Sequence, residues 1–238
     1  MKKAMVVGAT SGIGKQLALQ LAAQGYQVGI TGRRLELLME LKVLNPEQFI
    51  VSDFDVTNTT NVPACLQQLT DALGGLDLLI LSSGTGKINP ELAPGIEKYT
   101  NEVNVAGFTA VAGWAFHYFQ QQGFGHFAAI SSVAGLRGSR QAPAYFASKA
   151  YQQNYLEGLR QKARHVKLPV YITDIRPGFV DTAMAAGEHL FWMATAEKAA
   201  GQIINALGKK RGVVYVTKRW RLVALMLKLL PGWLYMRM

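Results

Sequence analysis

Residues 4–15 read AMVVGATSGIGK: a short apolar run, then glycines at 8, 12 and 14, then the opening of a helical pattern. Glycines so placed let the chain turn tightly at the end of a strand. A pyrophosphate can then approach the first free N–H groups of the helix. A glycine-rich string alone would also fit an ordinary turn; its position between a first strand and a first helix points to nucleotide binding.

Short apolar runs alternate with helical stretches along the rest of the chain. Strands are predicted at Ala4–Val7, Gln27–Thr31, Phe49–Asp53, Asp77–Leu81, Phe127–Ser131, Val170–Asp174 and Val213–Val216. Helices are predicted near Gly14–Gln24, Leu35–Lys42, Thr60–Leu73, Ile96–Gln121, Ala144–Arg164 and Ala196–Leu207. The strands are short and rich in Val, Ile and Leu, as in strands covered on both faces. Seven such alternations imply an α/β fold: a doubly wound, parallel, seven-stranded, Rossmann-like sheet with right-handed crossovers. At 238 residues, with no linker or repeat, one domain is expected. Residues 1–217 carry the nucleotide-binding body and the active site, and 218–238 form a basic extension of the same domain.

The second strand runs into GITGRR. A site selective for NAD places an acid there to hold the ribose 2′-OH, whereas a 2′-phosphate calls for arginine. Gly32 holds the acidic position and Arg33 and Arg34 follow, so NADP(H) is expected over NAD(H), with Arg33 preferred as phosphate ligand.

Further on, ISSVAGLRGSRQAPAYFASKA, residues 130–150, spaces Ser132, Tyr145 and Lys149 by thirteen and then four. The four-residue step puts phenol and ammonium on one face of a helix, where a cation favours the phenolate. Ser132 can offer a hydroxyl to the same substrate oxygen. The trio describes a site that moves a proton on and off a carbonyl or alcohol oxygen. Tyr145 is the only tyrosine followed four residues later by lysine. His117, His126, His165 and His189 match no metal-ligand spacing, and no metal is expected.

With these residues in place the chain resembles the single-domain branch of the short-chain dehydrogenase/reductase family, from Ala4 to about Val216. The G-x-x-x-G-x-G spacing of Gly8, Gly12 and Gly14, with Thr10, Ser11 and Ile13 between, is similar to that branch. Asp55 and Val56 match the site beside the adenine, and Asn104 in NEVNVAG matches the catalytic asparagine. RPGFVDT, with Pro177, Gly178, Val180 and Thr182, matches the nicotinamide segment. One departure stands out. Where the family has Asn-Asn-Ala-Gly after the fourth strand, this chain reads Leu81, Ser82, Ser83, Gly84. The resemblance implies Tyr145 as general acid in reduction and base in oxidation. Lys149 would bind the nicotinamide ribose and lower the Tyr145 pKa, and Ser132 would polarise the carbonyl. Asn104 would hold the water through which Lys149 exchanges protons. It also implies a homo-oligomer, a dimer or tetramer.

The net charge of +10 sits at one end. No acid follows Glu197, while Lys209, Lys210, Arg211, Lys218, Arg219, Arg221, Lys228 and Arg237 do. A helix is predicted from Arg219 to Leu230, stopped by Pro231-Gly232. Trp220, Trp233 and Tyr235 interleaved with cations suit a water–lipid boundary, and a subunit interface is the competing reading. A narrow basic stripe with no groove-reading element argues against nucleic acid. Between Thr182 and Thr195, Leu190, Phe191, Trp192 and Met193 fit a lid over an apolar substrate or a helix packed on the core. The single cysteine, Cys65, excludes an internal disulfide, and no apolar stretch is long enough to span a bilayer. A cytoplasmic protein, peripheral to the inner face of the membrane if the tail docks there, is expected.

These features make an NADPH-dependent reductase of an apolar or lipid-like carbonyl the leading expectation. A keto-sugar reductase, its sugar free or carried on a lipid, and a catalytically silent NADP(H)-binding regulatory or scaffold protein are the alternatives.

Overall fold

The structure is a computed structural model that describes residues 1–183 and 191–237. Seven parallel strands form one sheet: β1 (Lys3–Val7), β2 (Gln27–Gly32), β3 (Phe49–Asp53), β4 (Leu78–Leu81), β5 (Gly125–Ile130), β6 (Val170–Pro177) and, at the far edge, β9 (Val213–Val216). Their order is β3-β2-β1-β4-β5-β6-β9, so the winding reverses between β1 and β4. This is the Rossmann-like arrangement in a single domain. A two-residue pair outside the main sheet, β7 (Val180–Asp181) with β8 (Ala194–Thr195), was not foreseen.

Strand alternation builds the two cores. In β1, Ala4 and Val6 face one layer while Met5 and Val7 face the other; in β4, Leu78 and Ile80 oppose Leu79 and Leu81 in the same way. The first layer packs on α1 (Gly12–Ala23), α2 (Leu35–Leu44) and α7 (Ala196–Gly208), through Leu17, Leu21, Leu38 and Ile203. The second packs on α3 (Val62–Leu73), α5 (Phe108–Gln122) and α6 (Pro143–His165), through Leu66, Phe116, Phe119 and Leu156. A sheet covered on both faces can afford few polar residues, which explains the apolar runs.

The helix expected over 96–121 is interrupted. It consists of α4 (Pro94–Asn101), a wide π-helical turn over Glu102–Gly107, and α5. The extra residue of such a turn redirects a side chain that a regular helix would bury elsewhere. Here that segment contains Asn104, fully buried.

The tail forms α8 (Trp220–Leu229), one residue shorter at each end than expected, and a single turn, α9 (Gly232–Tyr235). The interfacial reading of Trp220 is corrected. Its ring is buried beside the Gly178 backbone, edge-on to Phe179 and stacked on Phe191. A Cβ on Gly178 would lie 1.9 Å from that indole, so glycine is needed for the close approach. Arg137 donates to the carbonyls of Leu227 and Leu230, and Tyr235 to that of Gly138, so the tail is tied over the segment after β5. Of the expected lid, Leu190 and the rest of 184–190 lie outside the described residues. Phe191, Trp192 and Met193 are about half exposed, with Phe191 on Trp220.

Candidate active site

Each candidate residue follows a strand end, lines α6 or, in the case of Asn104, sits in the π-helical turn before α5, and together they border the crevice where the winding reverses. After β1 comes the glycine turn. Gly8 has φ of +93°, and a Cβ there would meet the Ser83 nitrogen at 2.5 Å. A Cβ on Gly14 would sit 2.0 Å from the Gly8 carbonyl oxygen. The turn is therefore a cradle that a single methyl would fill, and Thr10, Ser11, Gly12 and Ile13 complete it. The departure after β4 leaves the geometry whole. Ser82 and Ser83 both donate backbone N–H groups to the Val7 carbonyl, at 2.8 and 2.9 Å. Gly84 lies beside Asn104 and Lys149.

After β2, Gly32 faces Thr10, whose methyl would be 2.7 Å from an added Cβ. The acidic position thus lacks both a carboxylate and the room for one. Arg34 donates to the hydroxyls of Thr10, at 2.6 Å, and Ser11, at 3.2 Å. Arg33 turns the other way, to the Tyr99 hydroxyl and to Asp55 at 3.5 Å. Asp55 in turn accepts from the Thr57 N–H, and Val56 beside it is buried.

Asn104 clamps the loop after Gly84. Its Oδ1 accepts from the Thr85 N–H at 2.9 Å, and its Nδ2 donates to the Thr85 carbonyl at 2.7 Å and to Ser148 Oγ at 3.0 Å. After β5, two serines divide their work. Ser131 donates to Asp174, which is fully buried and paired with Arg176 at 2.6 Å. Ser132 accepts from the Ala134 N–H at 3.1 Å and is the serine that interacts with the Tyr145 phenol. The two residues are adjacent, but only Ser132 faces the tyrosine.

Lys149 Nζ lies 5.8 Å from the centre of the Tyr145 ring. Its ammonium donates to the Ile130 carbonyl at 3.1 Å and to Gln152 Oε1 at 3.0 Å, leaving its third N–H for another partner. Burial pushes this amine down to about 8, against the pull of Asp174. The expected depression of the Tyr145 pKa is not seen: burial pushes the phenol up, and Ser132 offsets this only in part. A desolvated phenol stays protonated unless a nearby charge outweighs the desolvation. After β6, Pro177 ends the strand, its carbonyl 3.5 Å from Ser132 Oγ; Gly178 meets Trp220, Val180 is buried in the core, and the Thr182 methyl lies by Gly12.

The composition of α6 held an unread signal. Gln152 and Gln153 follow Lys149 by three and four residues, on the helix face that carries Tyr145 and Lys149. Both are buried, and Gln153 Nε2 donates to the Ser132 carbonyl at 2.5 Å. Among the described residues no group of His, Cys, Asp and Glu could hold a metal.

A parallel sheet with a glycine cradle at its reversal defines the class of Rossmann-like nucleotide-binding folds. The short chain dehydrogenase family model matches residues 2–190, and the chain belongs to that family of nicotinamide-dependent oxidoreductases. An uncharacterized oxidoreductase of Mycobacterium tuberculosis is 34% identical over 194 residues, 78% of this chain and 76% of its own. Another, from Myxococcus xanthus, is 31% identical over 241 residues and covers 98% of this chain and 94% of its own. A short-chain dehydrogenase/reductase of Burkholderia phymatum, in complex with NAD, superposes with a TM-score of 0.85 at 21% identity, over 94% of this chain and 92% of its own. Levodione reductase does so with a TM-score of 0.81 at 22% identity, over 90% and 95%.

Proposed function

We propose that the chain is an NADPH-dependent carbonyl reductase, reversible to alcohol oxidation, for an apolar or lipid-like substrate. The observation that carries this reading is the meeting of Ser132, a protonated Tyr145 and a buried Lys149 beside the Gly8–Gly14 cradle. The cradle and the free Lys149 N–H suit a dinucleotide's pyrophosphate and ribose. When bound, the dihydronicotinamide supplies the hydride. Ser132 Oγ–H steadies the carbonyl oxygen as charge develops on it, and Tyr145 O–H donates its proton to the same oxygen. Lys149 holds a positive charge near the phenol and eases that loss. In oxidation the same phenolate takes the proton back.

The cofactor preference rests on Gly32, where Thr10 blocks a carboxylate, and on the two arginines that follow. Arg34 bridges Thr10 and Ser11 and takes the place of first phosphate ligand that the sequence favoured for Arg33; Arg33 seconds it from the Asp55 side. Arg34→Ser and Arg33→Asp should each raise KM for NADPH far more than for NADH. Equal effects on the two cofactors would refute the phosphate site.

The aromatic group of Phe179, Phe191 and Trp220 beside Gly178 supports an apolar substrate. The tail supports peripheral membrane contact. Leu222, Leu225, Met226 and Leu229 recur at helical spacing on the outer face of α8, all exposed, with Arg221 and Lys228 on its flank. Beside it a groove of about 1130 Å³ gathers Lys198, Lys209, Arg211, Lys218, Arg219 and Arg221. Such a surface fits anionic headgroups above an apolar layer. A second copy of the chain is the competing occupant. A two-fold contact through the ridge would bring like-charged flanks together, with no acid after Glu197 to neutralise them. Among the described residues no helix is long and apolar enough to cross a membrane.

A further inference from the structure

Two consecutive buried amides stand on the catalytic face of α6, and one of them touches two members of the proton-handling set at once. Gln152 Oε1 accepts from Lys149 Nζ at 3.0 Å, and Gln152 Nε2 donates to the Asn104 backbone carbonyl at 2.9 Å. Gln152 is 2% exposed, so neither bond competes with bulk water. The family resemblance puts a water between the asparagine and the lysine; in this chain an amide side chain spans the two.

We propose that Gln152 is a positioning residue for the reductase reaction proposed above, holding the Lys149 ammonium at the phenol and tying it to the Asn104 turn. Geometry explains why an amide serves. Lysine needs an acceptor and the Asn104 carbonyl a donor, and glutamine presents one of each in a plane. An apolar residue would leave both groups buried and without that partner, a costly state for an ammonium. A glutamate would supply the acceptor but not the donor. Gln153 does the parallel task for the Ser132 carbonyl, so adjacent residues fix two catalytic loops to one helix.

The arrangement governs how tightly Lys149 keeps its proton. The titratable groups facing it are Tyr145 from its own helix and Asp174 from β6, the latter already bound by Arg176 and Ser131. Gln152 thus supplies the neutral partner that favours the charged amine. Gln152→Met keeps the volume and removes the acceptor, so the ammonium is lost at lower pH. Gln152→Glu puts a carboxylate against the amine, so it is lost at higher pH.

The test is the pH dependence of kcat/KM for NADPH-driven ketone reduction in the wild type and both variants, with thermal midpoints measured alongside. The alkaline limb should move down by about one unit in Gln152→Met and upward in Gln152→Glu. A packing role would lower stability in both without moving the limb in opposite senses, and that result would overturn the proposal. Should the wild type reduce no carbonyl, the reaction assignment fails by itself. The Lys149 titration, followed by NMR of its Cε carbon in the wild type and Gln152→Met, then decides Gln152 separately: a lower Lys149 pKa in the variant upholds it, and an unchanged one rejects it.

Discussion

Tyr145 and Lys149 are held in opposition by the same burial. Desolvation disfavours charge on both, so it raises the phenol and lowers the amine. At neutral pH the phenol carries its proton and the amine is still charged, a combination suited to proton donation in reduction. The alkaline limit follows from the amine. As pH rises through about 8 the Lys149 charge disappears, and kcat/KM for reduction should fall over that range. Lys149→Met should lower turnover at least 100-fold, because the Tyr145 phenol then gives up its proton with no cation beside it. A pH profile flat from 7 to 10 would refute the link to Lys149. The step from Tyr145 to Lys149 was legible from spacing alone, because a helix turn is a fixed ruler. Gln152 was not, since glutamine on an α6 face reads equally well as solvated surface until the Asn104 carbonyl is seen opposite it.

The glycine turn shows how closely the elements meet. Gly14→Ala would drive a methyl against the Gly8 carbonyl, and overpacking of this kind costs about 1–3 kcal/mol. Chemical denaturation should register that loss, together with weaker NADPH binding. Unchanged values would mean that α1 does not sit as closely on β1 as described. His126, in β5, sits against the Thr173 hydroxyl of β6 and is pushed down to about 4 by burial, with Lys210 adding to it. Below its ordinary pKa the unfolded chain takes up a proton that the folded chain refuses. Stability should therefore fall as pH drops from about 6.5 towards 4, by up to about 3 kcal/mol. Denaturation midpoints at pH 7 and 4.5 should show a difference that narrows in His126→Gln. An equal drop in that variant would place the titration elsewhere. Strand positions were legible because apolar runs covered on both faces leave few alternatives. The π-turn at Glu102–Gly107 was not, since its residues share the apolar period of the helices on either side.

At the scale of the molecule, the body and the tail place different demands on the sequence. The order of strand-end motifs specified the sheet and the position of the glycine turn, because each loop follows a strand whose place is fixed. The tail was harder to read. Its tryptophans look alike in sequence, yet Trp220 is buried at Gly178 while Trp233 is exposed. Only the fold distinguishes an anchor to the body from a surface residue. If the outer face of α8 meets lipid, Leu225→Ser with Leu229→Ser should abolish cosedimentation with vesicles of phosphatidylglycerol and leave sedimentation velocity unchanged. Dissociation of an oligomer by the same pair would instead assign the ridge to a second copy.

The proposed reduction turns on one proton on one oxygen, that of Tyr145. Tyr145→Phe removes that proton and preserves the ring, so NADPH binding, followed by its fluorescence, should remain close to wild type. Reduction of a ketone series of graded chain length should fall to background over every member. Full turnover by the phenylalanine variant would contradict the assignment of Tyr145 as the proton donor.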